Sequence, residues 1–92
     1  MIDKNFIEKV KSALNIVNVI ETFTRLHKTG ANYKGVCPFH DDHSPSMVVS
    51  PSRQTYHCFV CGASGDVISF VQHHLNLSFI EALRWCANQA GI

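Results

Sequence analysis

Cys37-Pro38-Phe39-His40 and, after seventeen intervening residues, Cys58-Phe59-Val60-Cys61-Gly62 are the stretches on which the reading of this chain turns. Each arm offers a pair of metal-binding side chains separated by two residues. Zn²⁺ prefers four sulfur or nitrogen donors in a tetrahedron, and two such arms can grip one ion from both sides. With Cys37, Cys58 and Cys61 as thiolates and His40 neutral, the site carries about one net negative charge around the dication. Protein fills all four positions, which marks a structural site with no place for an activated water. Gly62 supplies the positive φ that a ligand knuckle needs, so that backbone N–H groups can aim at the first sulfur. Pro38 fixes φ at the start of the other arm, which has no glycine and runs on into Asp41.

The surrounding residues offer competitors. His43 and His57 each lie close to a proposed ligand. Pairing His40 with His43 takes from Cys37 its knuckle partner, and His57 points to the opposite side of a strand from Cys58. Asp41 and Asp42 either orient the imidazole or face water. A thiol oxidoreductase places Cys-x-x-Cys after a strand and at the start of a helix in a βαβ unit, and no such unit precedes Cys58. Gly62-Ala63-Ser64-Gly65 before a helix has the look of a phosphate loop, but Asp66 stands where the anion would sit. That segment reads as a turn leading out of the knuckle.

Outward from the arms, the N-terminal third has helical spacing. Asp3 caps a helix carrying Phe6, Val10, Leu14 and Val17, and Asn15 breaks it and caps a second turn with Ile16, Val19, Ile20 and Phe23. Gly30 closes the helical region or makes a tight turn. From about Arg25 the period shortens, and Tyr33–Val36, Ser46–Ser50 and Gln54–Phe59 are β-prone runs separated by turn residues. After the second arm, Asp66 caps a helix with Val67, Phe70, Val71 and Leu75 inward. Ser78-Phe79-Ile80-Glu81 is a capping box for a last helix that buries Phe79, Leu83, Cys86, Ala87 and Ala90, closed by Gly91. Trp85 falls beside that stripe, at the edge of the core. The fold class is therefore α+β: a zinc ribbon over about 25–62 on a small antiparallel sheet, flanked by helices over about 3–24 and 66–90. Residues 1–92 form a single zinc-binding domain in this reading.

Composition supports a small folded chain. Its 92 residues and 46% hydrophobic content suit one modest core, to which a metal cross-link adds. The start, Met-Ile-Asp-Lys-Asn, lacks the apolar run of a secretory signal, and no apolar stretch approaches a membrane span. Reduced thiols in the cytoplasm are the matching expectation. A net charge of +1 does not announce nucleic acid, but Arg25, Lys28, Lys34 and Arg53 crowd into the central segment, opposed there only by Asp41 and Asp42.

The residues now define a resemblance. Ala31-Asn32-Tyr33-Lys34-Gly35-Val36-Cys37-Pro38-Phe39-His40 resembles the first half of the zinc-binding domain of DnaG-type bacterial and phage primases. Ser44-Pro45-Ser46 and Tyr56-His57-Cys58-Phe59-Val60-Cys61-Gly62 resemble its second half. Gly65-Asp66-Val67-Ile68-Ser69-Phe70-Val71 and Leu77-Ser78-Phe79-Ile80-Glu81-Ala82 are similar to its closing helices. Departures are Val60, where the family has glycine, His43, where lysine is usual, and Met47, where phenylalanine is usual.

The resemblance implies one structural Zn²⁺ and contact with single-stranded template. It also implies support for start-site choice in RNA primer synthesis, beside a separate polymerase domain that these residues do not supply. The implied partners are the template strand, the primase catalytic domain and the replicative helicase, with no membrane and no catalytic residue. On that reading Lys28, Lys34 and Arg53 neutralise phosphates and Tyr33, Tyr56 or Phe59 stack on unpaired bases, with His43 standing at the family's lysine position. The competing reading is a protein-interaction ribbon of a replication or mobile-element protein, docking through Trp85 and the last helix. An independent zinc enzyme is the third.

Overall fold

The computed structural model describes residues 3–41 and 44–92. Helix α1 runs Lys4–Ala13 and α2 runs Ile16–Glu21. Five strands follow: β1 Leu26–Thr29, β2 Asn32–Gly35, β3 Met47–Ser50, β4 Thr55–Cys58 and β5 Ser64–Gly65. Helices α3 (Val67–His74) and α4 (Phe79–Ala90) close the chain.

Local chemistry sets the helix starts. The side chains of Asp3 and Asn15 accept hydrogen bonds from the amides of Phe6 and Val17 at 2.8 and 2.9 Å, ending one helix and beginning another as expected. Asp66 accepts from Ser69 N at 2.9 Å, and Ser78 and Glu81 complete a reciprocal capping box. Burial pushes the Asp66 carboxyl up, but the Ser69 amide and Lys11, whose Nζ lies 3.2 Å away, outweigh it and hold the group below its usual range. Gly91 ends α4 with φ 74°.

The strands form an antiparallel meander in the order β1-β2-β3-β4-β5, Gly30 lying in the turn between the first two. Two of the five strands lie outside the β-prone runs of the sequence. β1 carries a single buried residue, Leu26, and β5 is only two residues long, within what reads as a turn. Pairing makes both: Leu26 sits opposite Gly35, and Tyr56 and His57 sit opposite Gly65 and Ser64. A β-carbon at Gly35 would lie 2.6 Å from the Arg25 carbonyl oxygen, so the β1–β2 approach requires glycine. The sheet therefore runs on past residue 62 to Gly65.

The period of two sorts the strands into faces. Leu26, Met47, Val49, Tyr56 and Cys58 are buried against the helices, with Val10, Ile16, Ile20, Phe70, Val71 and Leu83 among their partners in the core. Trp85 is half-buried at the margin, its ring 5.8 Å from Phe23, and Cys86 is buried on the inner stripe of α4. Phe79 departs from expectation, being 41% exposed. Helical side chains lean toward the N-terminus, so this first-turn residue overhangs the end of the helix, and burial begins at Ala82 and Leu83.

A long-range contact fastens sheet to helices. Gln54 occupies the β3–β4 turn with φ 56°. Its Oε1 accepts from the amide of Ile16 at 2.7 Å, and its Nε2 donates to the Pro51 carbonyl at 2.8 Å. The hairpin that leads into the second metal arm thus caps α2 from 38 residues away in sequence.

Candidate metal centre

Cys37 follows β2 and Cys58 ends β4, so neighbouring ends of the sheet deliver the two arms to one place. The ligand atoms of Cys37, His40, Cys58 and Cys61 all lie within 4.8 Å of one another. Cys37 Sγ and Cys61 Sγ are 3.8 Å apart, the edge of a tetrahedron with Zn–S bonds of about 2.3 Å. His40 Nε2 is 3.3 Å from Cys58 Sγ, near the ~3.5 Å of a sulfur–nitrogen edge. The donor set and its spacing fit one structural Zn²⁺.

Backbone geometry shapes the second arm. The amides of Val60 and Cys61 both point at Cys58 Sγ from 3.4 Å, and the Ser46 hydroxyl lies at the same distance. Cys58 N donates to the Ala63 carbonyl at 2.8 Å, and Gly62 N to the Cys58 carbonyl at 3.0 Å. Gly62 has φ 79°, the conformation expected of it. Burial raises the Cys58 thiol, but the Cys61 amide, Ser46, the Val60 amide and His40 together bring it down to about 5. Cys58 is thus held as a thiolate before any cation arrives, which is the form a metal takes.

Side-chain packing holds the first arm. Phe39 lies flat on His73 of α3, with ring centroids 4.1 Å apart and planes 5° from parallel. It also meets Phe70 and Tyr56 edgewise or tilted at 5.3 and 5.8 Å. Burial pushes Cys37 up to about 12, with its neighbours Cys58 and Cys61 adding to the rise and the Phe39 amide opposing it. His40 Nδ1 is 3.3 Å from the backbone carbonyl of Asp41. A carbonyl only accepts, so this contact places the proton on Nδ1 and leaves the Nε2 lone pair facing the thiolates. Asp41 orients the imidazole, then, through its main chain, and its side chain is exposed. Asp42 and His43 lie outside the described residues. His57 is exposed and turned away from Cys58, as strand alternation requires.

The residues named for nucleic acid divide between two faces of the sheet. Lys34 projects outward with His27 and Val48, its cross-strand partners, and Val48 pairs in turn with His57. Phe59 is 72% exposed, its ring 4.6 Å from that of His57. Arg53 lines the same surface depression as His57 and Phe59. Tyr33 and Lys28, which pair with one another, carry the opposite parity. Tyr56 is no stacking platform: it is 3% exposed in the core, and burial with nearby negative charge raises its hydroxyl to about 12. His57 and Asn32, absent from the sequence-derived set, share the outward face. Parity counted from buried Cys58 was the available signal for His57.

Comparison with known proteins converges on one family. The CHC2 zinc finger, the zinc ribbon of DnaG, matches residues 2–92. The chain is 47% identical to a DNA primase of Thermotoga maritima over 92 residues, all of this chain and 16% of that protein. It is 46% identical to a DNA primase of Neisseria meningitidis and 42% to one of Clostridium acetobutylicum, covering 16% and 15% of their lengths. Among solved structures, the zinc-binding and RNA polymerase domains of the Aquifex aeolicus primase superpose with a TM-score of 0.88 at 42% identity, over 94% of this chain and 21% of that one. The chain thus spans about a sixth of the curated primases it matches. Among the described residues, no helix is long and apolar enough to cross a membrane.

Proposed function

Since this chain belongs to the CHC2 zinc-finger family of DnaG-type primases, we propose that it is the module through which a DNA primase holds single-stranded template and selects where an RNA primer begins. Cys37, His40, Cys58 and Cys61 ligate one structural zinc. Lys34, Arg53 and Phe59 form the centre of the strand-binding face; Lys28 and Tyr33 lie on the other face of the sheet, and His43 is a further proposed contact. Primer synthesis belongs to a polymerase domain of the kind found in the Aquifex aeolicus primase, which is also the nearest partner, and the setting is the cytoplasm.

The observation that carries this reading is the charge of the sheet. Residues 22–40 and 43–65 contain no Asp or Glu, yet they hold Arg25, Lys28, Lys34 and Arg53. Asp66, the next acid along, is engaged by Lys11 and the start of α3. A surface depression whose described lining holds Arg53, an exposed ring and no carboxylate suits a polyanion with unpaired bases. Zinc-loaded protein titrated with a fluorescent oligonucleotide should bind it, with log Kd linear in log salt. Lys34→Ala with Arg53→Ala should weaken binding and flatten the slope by roughly 1.4, about 0.7 per lost phosphate contact. Absence of binding at low salt overturns the proposal.

A second reading, docking to a helicase or another replication protein, draws on Phe79 and Ile80, each 41% exposed at the start of α4. Capture of a helicase that survives the Lys34/Arg53 double change but not Ile80→Asp supports it.

A further inference from the structure

Resting on the strand-binding reading, we infer that the depression on the outward face of the sheet is a seat for one unpaired base, with Phe59 as its stacking surface and His57 as the side chain that holds Phe59 in place. Its lining includes Asn32, Ser50, Arg53, Thr55, His57 and Phe59. Their chemistry is graded. At one end lies an aromatic ring, 72% exposed although it belongs to a residue that normally prefers cover. His57 meets that ring at 4.6 Å with an interplanar angle of 67°, so the edge contact limits its rotation without covering it. The main chain is fixed there too, because the Phe59 amide donates to the Ser46 carbonyl at 3.0 Å, one step from the metal-ligating Cys58. A rigid, exposed ring loses little freedom when a base stacks on it.

Hydroxyl and amide side chains come next along the depression, from Thr55, Ser50 and Asn32. Ser50 and Thr55 are cross-strand partners, and Thr55 and His57 are two residues apart on one strand, about 7 Å. Both donors and acceptors are therefore available to the edge of a base lying on Phe59. Arg53 lies in the adjoining turn, with Lys34 and His27 on the neighbouring strands, and these carry the phosphates. Among the described residues none that lines the depression is acidic, which disfavours a cationic or peptide-amine occupant and favours a nucleotide. The inference separates two tasks: cations attract any strand, whereas Phe59 with its hydroxyl neighbours engages a base.

The test compares a twelve-nucleotide thymidine strand with an abasic strand of equal length, each titrated with the zinc-loaded chain at fixed salt. The thymidine strand should bind about tenfold more tightly, within the range a single base–aromatic stack supplies. Phe59→Leu should remove that preference while leaving abasic binding unchanged, and His57→Ala should reduce it in part. Zinc content and circular dichroism of each variant keep folding separate from contact. Equal binding of both strands by the unaltered chain, or equal loss on both in Phe59→Leu, overturns the inference and leaves the electrostatic reading standing. Failure of either strand to bind at low salt overturns both. Replacing thymidine by each other base then measures whether Asn32 and the hydroxyls discriminate, with Asn32→Ala expected to level the ranking.

Discussion

Cys58 and Cys61 sit on an arm shaped by the main chain, whereas Cys37 and His40 sit on an arm held by packing. Around Cys58, two amides and a hydroxyl approach one sulfur, Gly62 takes a positive φ, and β5 closes the loop by pairing back onto β4. Around Cys37, the fixed point is Phe39, pressed between a histidine of α3 and the rings of Phe70 and Tyr56. Apart from the Ser46 hydroxyl, the first kind of order is local in sequence and forms with the knuckle itself. The second exists only once α3 has docked on the sheet. The thiols register the same contrast, one drawn down to about 5 and the other pushed up to about 12.

Removing zinc gives the largest effect and the sharpest view of that contrast. Metal binding to a structural site is worth of order 10 kcal/mol and is coupled to folding, so chelation should lower the melting temperature and the urea midpoint steeply. In the metal-free chain at low temperature, amides of Val60 to Ala63 should exchange more slowly than those of Phe39 to Asp41. Equal exchange in both arms breaks the comparison. The pH dependence of metal-free stability has opposite signs in the two arms. Cys58, with its pKa lowered from about 8.5 in the unfolded chain, adds stability above that value and loses it as pH falls toward about 5. Cys37, with its pKa raised, adds stability below about 8.5 and loses it as pH climbs toward about 12. Stability of the metal-free chain, read from urea midpoints across pH 5–10, should therefore peak near pH 8.5. A monotonic rise or fall contradicts the assignment.

Phe39→Ala is next. A fully buried phenylalanine costs about 3–5 kcal/mol on truncation to alanine, and this half-buried one should cost ~2–3 kcal/mol in zinc-loaded protein. The loss should appear also as faster zinc transfer to a chelator, because the first arm swings free. His73→Ala should reproduce a fraction of it. If Phe39→Ala leaves the chelation rate unchanged, packing is not what holds that arm.

What the sequence revealed divides along the same line. The four ligands, the caps Asp3, Asn15, Asp66 and Ser78, and the αL residues Gly62 and Gly91 are legible because their chemistry acts within about four residues. β1 and β5 were not, since Leu26 is the only buried residue of its strand and a two-residue strand exists solely through its partner. The contacts of Phe39 with α3 and the Gln54 cap of α2 depend on tertiary docking, and no local pattern announces them. The stacking candidates were sorted by burial alone: Tyr56 went inward and Phe59 outward, a distinction that strand parity could have drawn from Cys58.

Gln54 tests whether the second arm also leans on distant packing. Gln54→Ala deprives the Ile16 amide of its acceptor and leaves a β-carbon at φ 56°, for an expected cost of about 1–2 kcal/mol. Gln54→Gly loses the same cap but relaxes the backbone, so it should be less destabilising by up to about 1 kcal/mol. Neither change should alter the chelation rate much, because the knuckle amides are untouched. A marked acceleration would show that the hairpin's anchor on α2, rather than the knuckle's own main chain, organises Cys58.

The smallest effect belongs to the tip of the knuckle. Phe59 and Val60 lie between the two cysteines and are 72% and 68% exposed, so neither contributes much to the core. Phe59→Leu and Val60→Gly should each move the melting free energy by less than about 0.5 kcal/mol. For Val60→Gly the amide that points at Cys58 Sγ is retained, while glycine enlarges the freedom of the unfolded chain, so the sign should be slightly destabilising. A knuckle whose order came from side chains would respond to these two changes as the first arm responds to Phe39→Ala. One whose order comes from N–H groups and a positive φ can have its side chains replaced almost freely. That freedom is what lets Phe59 face solvent.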